Sequence, residues 1–343
     1  MAQTSRGEHP GESKEIMTIH DVARELGVSA STVSRAISGK GRIGEATRQR
    51  VLAFINDNQF HPNAAAKSLA QSRTFNLAIV MPEVKDLVDM PFFHTCMHGA
   101  EEIAQSNDYD LLVVTTDWSN LHPLERMVGN RKVDGIILTR TYENDPFVAY
   151  LKEARMPFVT VGRCYDPKVL QVDHDNAGAC RELVTILFGR GLDRIAYLGG
   201  SMDQMVNLDR YMGYRQAYEA YRRKPDEEII YKTLQNTAQI ASAVDEILRK
   251  KVDCILCQDD FICDGVVRHL GERGVKIPEQ IRIASCHHSR MLDNYPITIT
   301  SLKFDTMEIG RKACQVLLDE IEGRKPKRLT MLDYEISLKE STK

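Results

Sequence analysis

The 343-residue chain is 43% hydrophobic and 27% charged with a formal net charge of −3, an ordinary globular composition with length for a small domain plus a two-lobed body. No apolar run approaches the roughly 18 residues that cross a bilayer. Residues 1–16 are polar and mixed in charge and lack the apolar segment of a secretory signal.

We read residues 1–16 as a disordered leader, with Met17 an alternative start. Three short helices are expected between Thr18 and Asn58. Thr18 caps the first, which carries Ile19, Val22, Ala23 and Leu26 at helical spacing. Gly27 ends it, and Ser29 caps a second helix running to Ser38 with Val33, Ala36 and Ile37 on its apolar face. A glycine-rich stretch, 39–44, leads to a third helix with Val51, Leu52 and Ile55 inward. This is a helix-turn-helix pattern. Residues 17–72 hold seven basic residues against four acids, a net +3, while the leader carries −1 and the remainder −5. A phosphate-facing head on an acidic body has that asymmetry. Pro62 interrupts, and the alanine-rich stretch 63–70 is too short to be a stable helix without a packing partner.

From Phe75 the pattern alternates strand and helix. Strands are expected at 77–81, 111–115, 135–138 and 158–161, with helices at 93–105, in a segment ending near 131, and at 146–154. A second series has helices at 177–188, 210–221, 238–249 and 265–272 and strands at 195–198, 229–233, 254–257 and 282–286. Repeated β-then-α units imply parallel sheets covered by helices. Two series suggest two lobes with a crevice at the carboxyl ends of the strands. The eight cysteines, without an export signal, read as free thiols in a reducing cytosol. Cys254 and Cys257 form a Cys-x-x-Cys pair, but they lie in an apolar run that reads as a buried strand, and no second ligand pair follows at zinc spacing.

The run Thr18-Ile-His-Asp-Val-Ala-Arg-Glu-Leu-Gly-Val-Ser-Ala-Ser-Thr-Val-Ser-Arg35 resembles the head of the lactose-repressor (LacI/GalR) family of bacterial regulators. Thr47-Arg-Gln-Arg-Val51, the hinge from Pro62-Asn63 to Leu69-Ala70, Val133-Asp-Gly-Ile-Ile137, Asp173-His-Asp-Asn176, Gly191-Leu-Asp-Arg-Ile195 and Arg210-Tyr-Met-Gly213 extend the likeness in order. The resemblance covers residues 17–338. It implies an all-α helix-turn-helix head (17–62), a hinge helix and linker (63–74) and a two-lobed, periplasmic-binding-protein-like α/β body (75–343). Lobe 1 would comprise about 75–173 and 303–332, and lobe 2 about 174–302 and 333–343.

The resemblance further implies a cytoplasmic homodimer, sometimes a tetramer, that reads a near-palindromic double-stranded operator, represses transcription and responds to a small-molecule effector. It implies no enzyme activity, metal, cofactor or membrane partner. The second helix would enter the major groove, with Ala30, Ser31 and Arg35 reading bases. Arg35 suits a bidentate contact to guanine, worth about 1–3 kcal/mol of discrimination, and Ala30 offers only a methyl group, for example to thymine. His20, Ser29, Thr32, Ser34, Ser38 and Thr47 match positions that hold the DNA backbone, and Thr18, Arg42 and Asn63 complete the DNA-facing set. Helix capping is the plain alternative for the serines. Leu69 matches a hinge leucine that wedges through the minor groove; packing against the body is its alternative.

For the effector, the resemblance places Phe92 and Phe93 over the crevice and assigns Arg210 to ligand oxygens as a planar fork. Asp259 follows a strand end, and Arg163 and Asp173 are further candidates that equally suit surface or cap roles. The chain departs from the family where Gly-Tyr/Phe-Asp usually follows a strand. It has Ser285-Cys286-His287-His288, with His287 at the aspartate's position. That substitution argues against a simple sugar and toward an anionic or phosphorylated ligand or a remodelled pocket, or else marks a structural histidine hydrogen-bonded at a strand end.

Two other classes fit less well. A transport solute-binding protein of similar body would carry an export signal and no head. An enzyme on this scaffold would show a phosphate loop, a Gly-x-Ser-x-Gly elbow or a metal-ligand helix pair, and none appears. Gly189-Arg-Gly191 and Gly199-Gly200 read as turns.

Overall fold

The structure is a computed structural model that describes residues 17–38, 41–58, 71, 73–83, 91–116 and 118–343. The expected leader and the hinge residues Asn63 and Leu69 lie outside the described residues. The chain divides into two units, Met1–Arg73 and Thr74–Lys343.

In the first unit, α1 (Ile19–Leu26), α2 (Ala30–Ser38) and α3 (Glu45–Asp57) pack around Val22, Ala23, Val33, Ala36 and Val51. Reciprocal capping starts α1. The Thr18 backbone N–H donates to Asp21 Oδ2 at 2.9 Å, and the Asp21 N–H donates to Thr18 Oγ1 at 3.3 Å. Gly27 closes α1 at φ +62°, a left-handed conformation that favours glycine. The Arg50 guanidinium donates to the Leu26 carbonyl, tying α3 to the end of α1.

The second unit holds two six-stranded sheets. The first takes β1 (Asn76–Pro82), β2 (Asp110–Thr116), β3 (Gly135–Leu138), β4 (Phe158–Val161), β5 (Leu170–His174) and β11 (Leu329–Leu332) in the order β11-β5-β4-β3-β1-β2, parallel throughout. Asp134 fixes its entry, accepting from the Thr74 and Phe75 backbone N–H groups at 2.8 and 2.9 Å. Its helices are α4 (Pro91–Ser106), α5 (His122–Gly129), α6 (Pro146–Glu153) and α11 (Thr306–Ile321). The helices α4 and α11 touch backbone to backbone. A Cβ on Gly99 would lie 2.0 Å from the Met307 carbonyl oxygen, and one on Gly310 1.9 Å from that of Cys96.

The second sheet takes β6 (Ile195–Leu198), β7 (Ile230–Tyr231), β8 (Cys254–Cys257), β9 (Arg282–Ser285), β10 (Thr300–Phe304) and β12 (Tyr334–Ser337) in the order β12-β10-β9-β8-β6-β7. It departs from the expected parallel pairing at one edge, where β12 runs antiparallel to β10. Its helices are α7 (Asn176–Gly189), α8 (Met205–Ala220), α9 (Thr237–Arg249) and α10 (Asp260–Glu272). Apolar cores cover both faces of each sheet. Cys254 and Cys257 are buried in β8 and join cores on its opposite faces, so they cannot grip one metal ion.

Three segments carry the chain from one sheet to the other: β5 into α7, β10 into α11, and β11 into β12. Two further ties join the lobes. Tyr142, after β3, bridges to Gln204 before α8, and the flanking Glu143 N–H···Asp203 O and Met205 N–H···Thr141 O bonds are each 3.0 Å. Arg163, after β4, pairs with Asp209 of α8, its Nε donating to Asp209 Oδ2 at 3.0 Å.

Candidate functional site

The head presents α2 as a polar ridge. Ser29 caps the helix, its Oγ accepting the Thr32 N–H at 3.1 Å and lying 2.8 Å from both the Ser31 and Thr32 hydroxyls. Thr18, His20, Ser29, Ser31, Ser34, Arg35 and Arg42 are exposed, while Ala30, Thr32 and Thr47 are half-buried. Ser38 closes α2. Ala30 packs partly into the head core, so only part of its methyl group faces outward. The aliphatic stem of Arg35 lies over Gly41. An exposed guanidinium amid hydroxyls can read a base edge while its neighbours hold phosphates.

The body holds a cleft between its lobes, about 920 Å³ counting the solvent in its open mouth. Lobe 1 contributes Phe92 and Phe93 from α4, Thr139–Thr141 after β3, and Asp173 and His174 from β5. Lobe 2 contributes Arg210 of α8, Asp259 and Asp260 at the start of α10, and His287 after β9. Six expected residues thus meet here: Phe92, Phe93, Asp173, Arg210, Asp259 and His287. Arg163 does not line the cleft. The Asp209 carboxylate engages its guanidinium and Tyr165 lies under it, which makes Arg163 a clamp between lobes.

Arg210 is buried and aimed by its neighbours. Its Nε donates to Asn176 Oδ1 at 3.1 Å, its Nη1 donates to the Gln258 carbonyl at 3.0 Å, and it sits 5.8 Å from the centre of the Phe304 ring. Gly213, one turn on, lets α8 reach α7, since a Cβ there would lie 2.2 Å from the Ala177 carbonyl oxygen. Asp173 Oδ1 accepts the His174 N–H at 2.8 Å and the Asn176 side-chain amide at 3.2 Å. Burial pushes its carboxyl up to about 7 against the His174 hydrogen bond, and the Asp209 charge adds to the rise. Asp259 caps α10 through the Ile262 N–H at 2.8 Å, and burial, then the adjacent Asp260 charge, raises its carboxyl.

Sequence reasoning did not single out His174, Asp260 or Phe304, yet they hold the middle of the cleft. His174 Nδ1 lies 2.9 Å from the Asp333 carbonyl, and its ring tilts over Phe304 at 4.8 Å. It therefore ties together all three crossing segments. His287 Nδ1 lies 3.1 Å from Asp260 Oδ1, and its ring stacks on Phe304 at 6.2 Å. Burial pushes the Asp260 carboxyl up, but the His287 hydrogen bond and charge outweigh it and hold it at about 2. Among the described residues, the Nε2 atoms of His174 and His287 are buried without a hydrogen-bond partner. The departure at His287 thus keeps a carboxylate in the cleft, supplied from α10. Placement at strand carboxyl ends is the signal that could have found Thr139, His174 and Phe304.

A three-helix head and a two-lobed body with a polar and aromatic cleft define a ligand-responsive DNA-binding regulator. Residues 18–63 match the model of bacterial regulatory proteins of the lacI family, and residues 74–336 that of periplasmic binding proteins and the sugar binding domain of the LacI family. The chain is 30% identical over 315 residues to the HTH-type transcriptional regulator MalR of Streptococcus pneumoniae, covering 90% of this chain and 94% of that one. It is also 30% identical over 336 residues to the HTH-type transcriptional regulator CelR of Thermobifida fusca, covering 94% and 98%. A solved structure of a CelR–cellobiose complex superposes with a TM-score of 0.72 at 27% identity, covering 95% of this chain and 99% of that one. The lac repressor dimer bound to operator shares the fold at a TM-score of 0.80 and 18% identity, covering 96% and 99%. The chain belongs to the lacI family of bacterial regulatory proteins. It is a DNA-binding transcriptional regulator, and these relatives are regulators rather than enzymes. No helix among the described residues is long and apolar enough to cross a membrane.

Proposed function

We propose that this regulator is a homodimeric repressor whose operator affinity is set by a neutral, hydroxyl-rich carbohydrate held between the lobes. The observation that carries the reading is the buried Nε2 of His174. Its Nδ1 faces a carbonyl, which only accepts, so Nδ1 bears the hydrogen and Nε2 presents a lone pair. Burial, opposed by the Asp333 carbonyl, pulls the ring's pKa down and keeps it neutral. Such an acceptor calls for a donor, and a sugar hydroxyl supplies one where a phosphate dianion cannot. Asp173 and Asp259 add carboxyl acceptors, Arg210 a planar donor and Phe92, Phe93 and Phe304 apolar ring faces. The cellobiose complex of CelR supports the same class of ligand.

In the head, Arg35 reads a base in each half-site, Ser31 and Ala30 assist, and Thr18, His20, Ser29, Thr32, Ser34, Ser38, Arg42 and Thr47 hold phosphates. Two heads on half-sites about one helical turn apart fit a near-palindromic operator. A thermal-shift panel of sugars, sugar phosphates, nucleosides and purines tests the effector. A sugar at 100 times its Kd should add about 2.7 kcal/mol to stability. Stabilisation by a sugar phosphate alone would overturn the neutral class. For DNA, fluorescence anisotropy should show tight binding to a palindromic site that falls steeply with salt. A monomer with equal, weak affinity for every duplex would refute the operator reading.

A further inference from the structure

The segment that crosses from β11 to β12 has a free outer edge. β11 ends the first sheet and β12 the second, so each has a neighbouring strand on one side only. Along this edge exposure alternates with residue number. Lys325, Lys327, Leu329, Met331, Asp333 and Glu335 are exposed, whereas Pro326, Thr330, Leu332 and Tyr334 are half-buried. Leu329 and Met331 are 49% and 48% exposed, large apolar groups left in water on an open strand edge. Read outward from Thr330, the exposed row is apolar at its centre, basic on one side and acidic on the other. Nearby cations are engaged within the chain, Arg324 by Asp319 and Arg328 by Glu320. Among the described residues, no ion pair engages Lys327 or Asp333. Lys325 leaves the extended path at φ +51°, and Glu335 lies opposite Lys303 of β10, so the core of the row is 327–333.

The backbone decides how such an edge can pair. The Gln171 N–H donates to the Arg328 carbonyl at 2.8 Å, and Leu329 stands opposite Gln171 in the register. The N–H and C=O of one strand residue point to the same side, and those of the next point to the other. Arg328, Thr330 and Leu332 therefore face β5, and the backbone groups of Leu329 and Met331 face outward. An added antiparallel strand must bond through these two residues. If that strand is a second β11, a two-fold axis at Thr330 sets Leu329 opposite Met331 and Lys327 opposite Asp333. Moving the axis to Leu329 sets Lys327 against Met331, and moving it to Met331 sets Leu329 against Asp333. Of the three registers, the first matches every pair. An in-register parallel arrangement would place like charges side by side, so the pairing closes at two copies.

We propose that the outer edge of β11 is a self-association surface, through which two repressor dimers join antiparallel about Thr330 into a four-headed assembly. The proposal rests on the homodimer reading and adds the next level of assembly. In the joint, Leu329 exchanges both backbone hydrogen bonds with Met331 of the second copy, and Lys327 faces Asp333 of the second copy. The ladder is short, well below the roughly 1,200–2,000 Å² of a stable interface, which suits a secondary contact between dimers rather than the dimer itself.

The test is sedimentation velocity on the full-length protein from micromolar to near-millimolar concentration. The parent should pass from dimer to tetramer. Lys327→Glu and Asp333→Lys each set like charges opposite one another, twice per joint. Each should weaken tetramer formation about tenfold, with the dimer and its operator affinity intact. The double variant Lys327→Glu/Asp333→Lys restores unlike pairs and should recover the tetramer. A parent that stays dimeric throughout overturns the edge pairing and leaves the dimer standing. So does a tetramer indifferent to both single changes, or a double variant that stays dimeric. A single change that yields monomers overturns the assignment to a joint between dimers. A parent that is monomeric throughout takes down the homodimer reading and the edge pairing together.

Discussion

Arg35 stands exposed on α2 among hydroxyl-bearing neighbours, so its removal should change what the head distinguishes more than whether the head folds. Arg35→Ala is expected to cost about 1–3 kcal/mol of discrimination at one base pair of each half-site while leaving weak nonspecific binding in place. Competition titrations against singly substituted operators read this directly, and an unchanged preference would remove Arg35 from base reading. In the cleft, Asp173 makes a pH-dependent prediction. Its carboxyl sits at about 7 when folded against an ordinary 3.8, so the folded state holds the proton more tightly than the unfolded chain. The stability it contributes is fully present below 3.8 and is lost as pH rises to about 7. Asp173→Asn keeps an oxygen for the His174 and Asn176 donors but carries no charge. Urea unfolding should show its advantage over the parent growing from pH 5 to pH 8, by a few kcal/mol at most on the order of the 1.36 kcal/mol per pKa unit. An advantage that does not change with pH would contradict the assignment. The Asp260–His287 pair runs the other way, since Asp260 is depressed to about 2 and its contribution disappears only in strong acid.

At the scale of elements, the best-placed helices are those whose caps and apolar stripes coincide. The turn of α1 on Gly27, the cap of α2 at Ser29 and the run in β8 all follow from residue type and spacing. The helices framing the cleft are harder to read. The helix α8 begins at Met205 rather than Arg210, and α10 at Asp260 rather than Gly265. Their first turns bury Asn207, Asp209 and Asp260, polar residues turned inward toward ligand or partner lobe, which breaks the apolar periodicity that marks a helix. Arg163 could not be separated from a ligand contact because its partner, Asp209, lies 46 residues away in sequence. The crossing strands β10, β11 and β12 are short and gain meaning only from long-range pairing. Gly213, by contrast, stood in a recognisable run, and its role is steric: it lets α8 press onto the Ala177 carbonyl and so sets where Arg210 points. Gly213→Ala should destabilise the body by about 1–3 kcal/mol and weaken effector binding beyond that loss. Chemical denaturation with calorimetry on the folded variant separates the two, and unaltered affinity would show that Arg210 is positioned by other contacts.

Across the whole molecule, the body's two lobes are joined by three crossings, a pair of backbone hydrogen bonds and the Arg163–Asp209 pair, and under the proposed function effector binding would act on the angle between them. Coupling of that angle to DNA must be reciprocal: operator should change effector affinity by the same factor that effector changes operator affinity. Arg163→Ala is expected to loosen the hold of one lobe on the other and shrink that factor with the head's own DNA affinity unchanged. Anisotropy titrations with and without saturating effector measure it, and an equal factor would acquit the clamp. The interleaving of the sheets has a further consequence for how the protein comes into being. Lobe 1 lacks an edge strand until Leu332 has been made, and lobe 2 lacks one until Ser337; beyond it, Ser341 and Thr342 are buried against Ile283, Thr300 and Arg190. During synthesis the three-helix head is ready early, whereas neither lobe can finish until β11 and β12 have left the ribosome. A chain interrupted before Leu329 would therefore carry a finished head on lobes that both lack an edge strand: a polypeptide still drawn to DNA and deaf to the metabolite.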